Sequence, residues 1–175
     1  MSKLSLSDKV FLYGEIHGLY NVSNESVEKY IDLLEKAYVI FRLPALNRDV
    51  RNEIKKGKKI YFIDCGIRNA ILNNFSPLNS RQDVGVLWEN YIISERIKYT
   101  RYNKTGSNHY FWRTTQQQEI DLIEERNDSL EAFEFKWKDI KGYRFPSTFT
   151  SNYPGAKTHT ISPENMEEFI PVGGG

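Results

Sequence analysis

The chain has 175 residues, of which 39% are hydrophobic and 27% charged, and its formal net charge is +1. A chain of this length and composition can bury a core, which excludes an intrinsically disordered protein. The near-zero net charge excludes a global basic field, so nucleic-acid binding would need local basic clusters. Cys65 is the single cysteine, which excludes an internal disulfide, and no run of 18 apolar residues predicts a membrane span. We therefore expect a cytoplasmic protein without a membrane partner.

The first third of the sequence has the element order of a winged helix. Apolar residues at helical spacing predict a helix over residues 25–37, with Ser23 or Asn24 as its N-cap. A shorter helix over residues 11–19 and a polar link over residues 20–24 precede it, as in a helix-turn-helix. Two strand-like runs at residues 38–41 and 59–63 follow it. We predict a winged-helix-like segment over residues 1–66.

The loop between these two predicted strands is basic and is a candidate nucleic-acid contact. A basic wing can pair with DNA phosphates, and the candidate residues here are Arg48, Arg51, Lys55 and Lys56. The helix that would enter a groove carries four acidic residues against two basic ones, which opposes docking on DNA. Because helix-turn-helix patterns also serve as packing modules, both interpretations stay open.

The remaining sequence predicts a second unit over residues 67–172, with a frayed tail at residues 173–175. A short helix is expected over residues 64–74, then a loop around Pro77, and then a buried helix over residues 83–99 that is apolar nearly all round. Strand-like runs follow at residues 109–114, 119–125 and 130–138, and a late helix or loop at residues 145–153. This order indicates an α+β fold.

The register of one hairpin follows from its turn. Asn127 and Asp128 lie between two strand-like runs and predict a two-residue turn, so that paired residues have numbers that sum to 255. This register predicts one apolar face that is formed by Ile120, Leu122, Phe133 and Phe135.

The same register sets Asp121 opposite Glu134 on the other face, with Lys136 beside them. Two facing carboxylates repel unless a cation neutralises them, and oxygen ligands suit Mg²⁺ or Mn²⁺ better than zinc. The hypothesis is a nuclease-type metal site in which the lysine orients water. The alternative is a solvated sheet face, with Glu119 and Lys136 as a cross-strand salt bridge.

Glu89 is the third candidate acid of this site. Its neighbours on the helical wheel are Val86, Ile92 and Ile93, and an ionised group in apolar surroundings needs a partner. A neighbouring metal site would supply one. The alternatives are an ion pair with Arg96 or an exposed strip of the helix.

Six segments resemble a known family in order and spacing. They are residues 26–40 (SVEKYIDLLEKAYVI), 59–67 (KIYFIDCGI), 85–90 (GVLWEN), 111–114 (FWRT), 118–121 (QEID) and 134–136 (EFK). Together they resemble the C-terminal half of a large prokaryotic family of AAA-type ATPases. That half is a winged-helix segment followed by a domain of unknown function that looks like a restriction endonuclease of the PD-(D/E)xK fold. The resemblance covers nearly all of residues 20–170.

The resemblance implies a mixed sheet flanked by helices and a metal-dependent phosphodiesterase site. It maps that site onto Glu89, Asp121, Glu134 and Lys136. The implied cofactor is Mg²⁺ or Mn²⁺, and the implied ligand is nucleic acid, with DNA favoured over RNA. Arg113 is a candidate contact to the nucleic-acid backbone. Ile120 stands where the strict motif has a proline before the aspartate.

No G-x-x-x-x-G-K-[ST] phosphate loop occurs in the sequence, so an ATPase module would be a neighbouring segment or a separate chain. Three functional hypotheses remain open at this point. They are a nuclease, a catalytically inactive binding module that works with an ATPase, and a regulatory interaction domain with the winged helix as a spacer.

Overall fold

A computed structural model describes residues 23–48, 53, 57–138 and 142–171 of the chain. The helices are α1 (Asn24–Lys36), α2 (Cys65–Leu72), α3 (Val84–Tyr102), α4 (Ser147–Asn152) and α5 (Met166–Phe169), with a 3₁₀ turn at Leu78–Ser80. The strands are β1 (Ile40–Pro44), β2 (Lys58–Phe62), β3 (Asn108–Arg113), β4 (Glu119–Arg126), β5 (Ser129–Phe135) and β6 (Lys157–Ile161). The predicted α+β class, with a mixed sheet flanked by helices, is confirmed.

Two β-structures meet edge to edge. The main sheet has the order β3-β4-β5-β6, in which β6 runs parallel to β5 and the other pairs are antiparallel. The antiparallel hairpin β1–β2 joins its β3 edge, where Ala45 forms a parallel bridge with Phe111. The amide of Leu46 donates to the carbonyl of Phe111 at 2.7 Å. The hairpin of the predicted winged helix is therefore attached directly to the sheet of the second unit.

Apolar clusters cover both faces of the main sheet. The first cluster joins α3 and the hairpin β1–β2 to one face, and includes Phe41, Leu43, Tyr61, Trp88, Ile92, Ile93, Phe111, Leu122, Phe133 and Phe135. The second lies on the opposite face and includes Leu46, Trp112, Ile120, Ile123, Leu130, Ala132 and Phe149. The face opposite the main core is therefore not the solvated face that was the alternative for the hairpin. The first cluster also runs across the division predicted between residues 66 and 67.

Several helix and strand predictions are confirmed within a few residues. The N-cap of α1 is Ser23, whose hydroxyl accepts from the amide of Ser26 at 3.1 Å. The helix predicted over residues 11–19 lies outside the described residues, as does the tail at residues 173–175. Strand β6 was not predicted, because residues 157–160 are polar or charged throughout and show no apolar alternation, and the four-residue helix α5 was not predicted either. No helix in the described part of the chain has the length and apolarity to span a bilayer.

The turn of the β4–β5 hairpin has the predicted geometry. Asn127 and Asp128 both have positive φ, 49° and 62°, as a tight two-residue hairpin turn requires. The ladder pairs Arg126 with Ser129 and continues to Leu122 with Phe133, so the predicted register is confirmed over this stretch. It stops there, and the predicted pairs of residue 121 with 134 and of 120 with 135 are not part of it.

A β-bulge in β4 explains why the regular ladder stops. Tyr110 pairs with Ile123 but Trp112 pairs with Ile120, so one residue of β3 faces two residues of β4, Asp121 and Leu122. The extra residue reverses the alternation beyond it. Ile120 therefore packs in the second cluster, and the prediction that it shares a face with Leu122 is wrong.

Candidate acidic site

The structure brings the four predicted site residues into one neighbourhood. Glu89 lies on α3, Asp121 lies in the bulge of β4, and Glu134 and Lys136 lie at the end of β5. Burial raises the pKa of Asp121 well above its usual value, and the charges of Glu89 and Glu134 raise it further. The charges of Glu89 and Glu134 therefore both act on Asp121.

A lysine from β2, Lys59, lies among these acids. Its Nζ is 3.1 Å from Oε1 of Glu89 and 3.8 Å from Oδ1 of Asp121, and it forms a third ion pair with Glu119. Lys59 is 6% exposed. Tyr61, two residues further along β2, donates its hydroxyl hydrogen to the same Oε1 of Glu89 at 2.6 Å. The acidic cluster thus contains a buried ammonium group and a phenol.

The alternation of β2 explains how Lys59 reaches the cluster. Strand β2 pairs with β1 so that Lys59 faces Leu43 and Tyr61 faces Phe41. Alternate residues of a strand share one face, and the face of Lys59 and Tyr61 packs into the first apolar cluster. The Lys59 ammonium also lies 5.7 Å from the ring centroid of Phe111. The stem of this lysine therefore runs through the core and its charge emerges at the acids.

The ionisation of the cluster follows from burial and these contacts. Burial alone would lower the pKa of Lys59, but Glu89 above all, followed by Tyr61, Asp121 and Glu119, outweighs it and raises that pKa. Burial alone would raise the pKa of Glu89, but Lys59 and the Tyr61 hydroxyl outweigh it, so that this pKa is lowered. Lys59 and Glu89 are consequently a charged pair at neutral pH.

The bulge orients Asp121 toward the neighbouring strand. Its Oδ2 accepts a hydrogen bond at 2.9 Å from the amide of Phe135, while Oδ1 points to Lys59. The side chain thus replaces a ladder partner at the point where the regular pairing of β4 and β5 ends. Asp121 connects the Lys59 contacts to the end of β5.

Glu134 and Lys136 form the other half of the site. The Nζ of Lys136 lies 2.6 Å from Oε1 of Glu134 and 5.1 Å from the ring centroid of Tyr143. Burial raises the pKa of Tyr143, and the nearby Glu134 carboxylate adds to this. The second oxygen of Glu134, Oε2, is buried and has no hydrogen-bond partner among the described residues.

The donor chemistry of this site fits a hard divalent cation. Glu89, Asp121 and Glu134 offer carboxylate oxygens, the ligands that Mg²⁺ and Mn²⁺ prefer, and the orphaned Oε2 of Glu134 is a ligand atom without a partner. Within the described ranges, no three His, Cys, Asp or Glu side chains are grouped as ligands of a metal ion. The Lys59 ammonium instead contacts Glu89 and Asp121.

The alternative ion pairs are not formed. Arg96 pairs with Glu124 at 2.8 Å instead of with Glu89. Lys136 pairs with Glu134, while Glu119 pairs with Lys59 and lies 3.4 Å from Nε of Arg113.

The candidate nucleic-acid contacts are only partly covered by the described residues. Arg48 forms an ion pair with Glu125, and Arg113 hydrogen-bonds to Gln117 in addition to its contact with Glu119. Arg51, Lys55 and Lys56 lie outside the described residues. Nucleic-acid binding by any of these five stays a prediction.

Sequence reasoning missed Lys59 and Tyr61 as site residues and placed them in the strand-like run at residues 59–63. The available signal was the alternation of β2, which sets Lys59 on the same face as the core residue Tyr61. A lysine on the buried face of a strand requires an acidic partner. The identity of that partner could not be predicted, because it lies 30 residues away on α3.

Comparisons with known proteins give two relatives and two adjacent domain matches, and none of them carries a functional description. Uncharacterized proteins of Mycobacterium bovis and Mycobacterium tuberculosis are each 25% identical to this chain over 130 residues, which is 73% of this chain and 29% of the relative. The chain thus corresponds to about three tenths of the length of these relatives. No solved structure shows a significant match. Residues 2–78 match the domain of unknown function DUF8612, and residues 84–170 match the domain of unknown function DUF4143; these stretches are hereafter the DUF8612 region and the DUF4143 region.

Proposed function

We propose that the DUF4143 region is a metal-dependent phosphodiesterase that acts on nucleic acid. The observation that carries this proposal is the buried, unpartnered oxygen of Glu134 beside the Lys136 amine, with Asp121 near enough to both Glu89 and Glu134 for their charges to raise its pKa. An unpartnered buried carboxylate oxygen is costly, and a bound cation would offset that cost.

The order of the elements supports the same proposal. An acidic residue on α3, the first helix of the DUF4143 region, precedes an aspartate on β4 and a Glu-x-Lys sequence at the end of β5. This is the order in which the resemblance to PD-(D/E)xK endonucleases distributes the site. Helix α4 then connects β5 to the parallel strand β6, which completes the sheet.

Each site residue has a role in this proposal. Glu89, Asp121 and Glu134 would hold Mg²⁺ or Mn²⁺, which when bound lowers the pKa of water and stabilises charge on a phosphoryl oxygen. The Phe135 amide fixes Asp121 through its 2.9 Å hydrogen bond, so the carboxylate is oriented before any ligand arrives. Lys136, which is 28% exposed and held by Glu134, presents an ammonium that can orient the attacking water.

We also propose that this region works in the cytoplasm with an ATPase module, in the same chain or in another. The resemblance to the C-terminal half of AAA-type ATPases supports this. The DUF8612 and DUF4143 matches themselves describe no activity.

Cleavage assays on defined substrates test the proposed activity. Purified protein is incubated with plasmid, single-stranded DNA and RNA in Mn²⁺ or Mg²⁺. We expect Asp121→Asn and Lys136→Met to lower cleavage by about 100-fold or more, as loss of a metal ligand or of a group that orients water does. The control Lys98→Met, which changes an exposed lysine paired with Glu95, should cleave like the wild type. Equal cleavage by Asp121→Asn, or none by the wild type, would refute the proposal.

One observation favours a second candidate function, the inactive binding module. The buried Lys59 ammonium already pairs with two of the three proposed ligand carboxylates, Glu89 and Asp121, so part of their charge is balanced without a metal. In that case nucleic acid or a protein partner binds equally in Mn²⁺ and in EDTA, and nothing is cleaved. The same assays, with a binding measurement added, separate the two candidates.

A further inference from the structure

We propose that the Lys59 ammonium and a divalent metal ion are alternative occupants of the acidic site, so that the DUF8612 region controls metal loading of the DUF4143 region. This inference rests on the proposed function, since it concerns the same carboxylates. It adds a residue outside the DUF4143 match, and it assigns that residue a competitive role.

The ammonium group of Lys59 contacts two of the proposed metal ligands. Its Nζ touches Oε1 of Glu89 at 3.1 Å and approaches Oδ1 of Asp121 to 3.8 Å. Glu89 and Asp121 are two of the three acids that would hold the metal. Any ion that these two carboxylates share would have to lie where the ammonium group now lies, or directly beside it.

Charge makes the two occupants mutually exclusive. Lys59 is buried, and like charges a few ångströms apart in a poorly solvated site repel strongly. A divalent ion supplies more charge than the ammonium and could also engage the orphaned Oε2 of Glu134, which Lys59 does not contact. The cluster can therefore exchange one cation for the other, but it cannot hold both at their best positions.

Glu119 offers the displaced lysine a place to go. It also pairs with Lys59, is 29% exposed, and is not one of the proposed metal ligands. The four-carbon stem of lysine rotates freely enough to keep the Glu119 contact while leaving Glu89 and Asp121. Displacement therefore moves the ammonium toward the rim of the site instead of leaving it unpaired in the core.

Lys59 also links the site to the hairpin β1–β2. Tyr61 on the same strand donates to Glu89, so β2 contributes two contacts to one proposed ligand. A shift of this hairpin along the β3 edge would withdraw the ammonium and the phenol together. The proposed competition would therefore tie the metal affinity of the site to the position of β2, a strand of the DUF8612 region.

Metal affinity, measured without reference to cleavage, tests the inference. Mn²⁺ binding to the full chain is titrated by electron paramagnetic resonance for the wild type, Lys59→Met, Lys59→Arg and the matched control Lys98→Met. We expect Lys59→Met to bind Mn²⁺ about tenfold tighter or more, because a competing buried charge is gone. Lys59→Arg keeps the charge and should show no such gain, and Lys98→Met should bind like the wild type.

The outcomes separate the inference from the proposed function. Equal Mn²⁺ affinity in the wild type and Lys59→Met overturns the inference and leaves the metal site standing. No Mn²⁺ binding by any folded variant overturns both. If Lys59→Met does not fold, Lys59→Gln replaces it.

A second measurement uses the wild type alone and is independent of both variants. The rate at which a chemical reagent acetylates Lys59 is followed by mass spectrometry. This rate should rise when Mg²⁺ is added, and an unchanged rate would overturn the inference.

Discussion

Two buried charge clusters in this chain have opposite designs. Around Asp83, two arginines meet one carboxylate: Arg68 donates to it at 2.8 Å, and Arg81 donates two hydrogen bonds at 2.8 Å. Around Lys59, one ammonium meets three carboxylates. The Asp83 cluster has an excess of positive charge, and the Lys59 cluster has an excess of negative charge.

The two clusters also differ in the chain separation of their members. Arg68, Arg81 and Asp83 lie within 16 residues, and Arg81 further binds the carbonyl of Asn74 at 2.9 Å. This cluster fastens α2 and the following loop to the start of α3. The Lys59 cluster collects residues from β2, α3 and β4 that are up to 62 positions apart. The Asp83 cluster is therefore a local clamp that stabilises a connection between two helices. The Lys59 cluster, which joins distant elements and has surplus acids, is suited to take up a cation.

The largest expected effect would come from removing the ammonium. Lys59→Met leaves Glu89, Glu119 and Asp121 without their shared cation, and loss of one partner of a buried ion pair costs about 3–5 kcal/mol of unfolding free energy. Urea unfolding in EDTA measures this loss. Mn²⁺ should restore more stability to the variant than it adds to the wild type. A loss below about 1 kcal/mol would mean that Lys59 is not the counter-ion of the acids.

A smaller loss is expected at the arginine clamp. Asp83→Asn removes the charge that Arg68 and Arg81 share, and we expect it to lower the unfolding free energy by about 2–3 kcal/mol, because Asp83 keeps some solvent contact. Here Mn²⁺ should change nothing, since no surplus acid is present. Metal-dependent stabilisation of Asp83→Asn beyond that of the wild type would erase the distinction between the two clusters.

The clamp also predicts a pH dependence. Hydrogen bonds from Arg81, against a smaller opposing effect of burial, hold the pKa of Asp83 well below its usual value. The unfolded chain therefore takes up a proton near pH 4 before the folded chain does. The stability from Asp83 is complete above that pH and is lost as the pH falls through the lowered folded pKa. Melting temperatures of the wild type and Asp83→Asn should converge between pH 5 and pH 2, and a constant difference would contradict the clamp.

The smallest effect is expected at an exposed ion pair. Lys98 lies 2.6 Å from Glu95 on the surface of α3, and both side chains are partly solvated. Exposed pairs contribute about 0–1 kcal/mol, so Lys98→Met should change the unfolding free energy by less than about 0.5 kcal/mol. Lys98→Met therefore gives the baseline against which the losses of unfolding free energy in Lys59→Met and Asp83→Asn are compared. A loss as large as that of Asp83→Asn would show that α3 depends on surface charge.

Local sequence signals were sufficient for much of the fold. The Asn127-Asp128 turn sets the hairpin register as far as Leu122, because a two-residue turn leaves one pairing. The helical spacing of apolar residues located α1, and the nearly all-round apolar character of residues 83–99 located α3. Resemblance of six short segments selected Glu89, Asp121, Glu134 and Lys136, which the fold brings into one neighbourhood, although the predicted pairing of Asp121 with Glu134 is not formed.

The rest depended on tertiary contacts. The bulge at Asp121 is a response to the pairing of β4 with β3, and nothing in the local pattern of residues 119–123 marks it. Ile120 was assigned to the wrong face for this reason. Strand β6 owes its existence to the edge of β5, and its own residues are too polar to predict it. Lys59 was missed because its acidic partners become neighbours only after β2 packs against α3.

Anomalous diffraction from Mn²⁺-soaked crystals of the wild type and Lys59→Met tests most directly whether this cluster is a metal site that a lysine can fill. We expect one manganese peak among the carboxylates of Glu89, Asp121 and Glu134 in both proteins. It should reach full occupancy at a lower Mn²⁺ concentration in Lys59→Met, and in the wild type Lys59 should have moved toward Glu119. A wild type and a variant without any peak at these acids, with Lys59 still paired to Glu89 in the wild type, would contradict it.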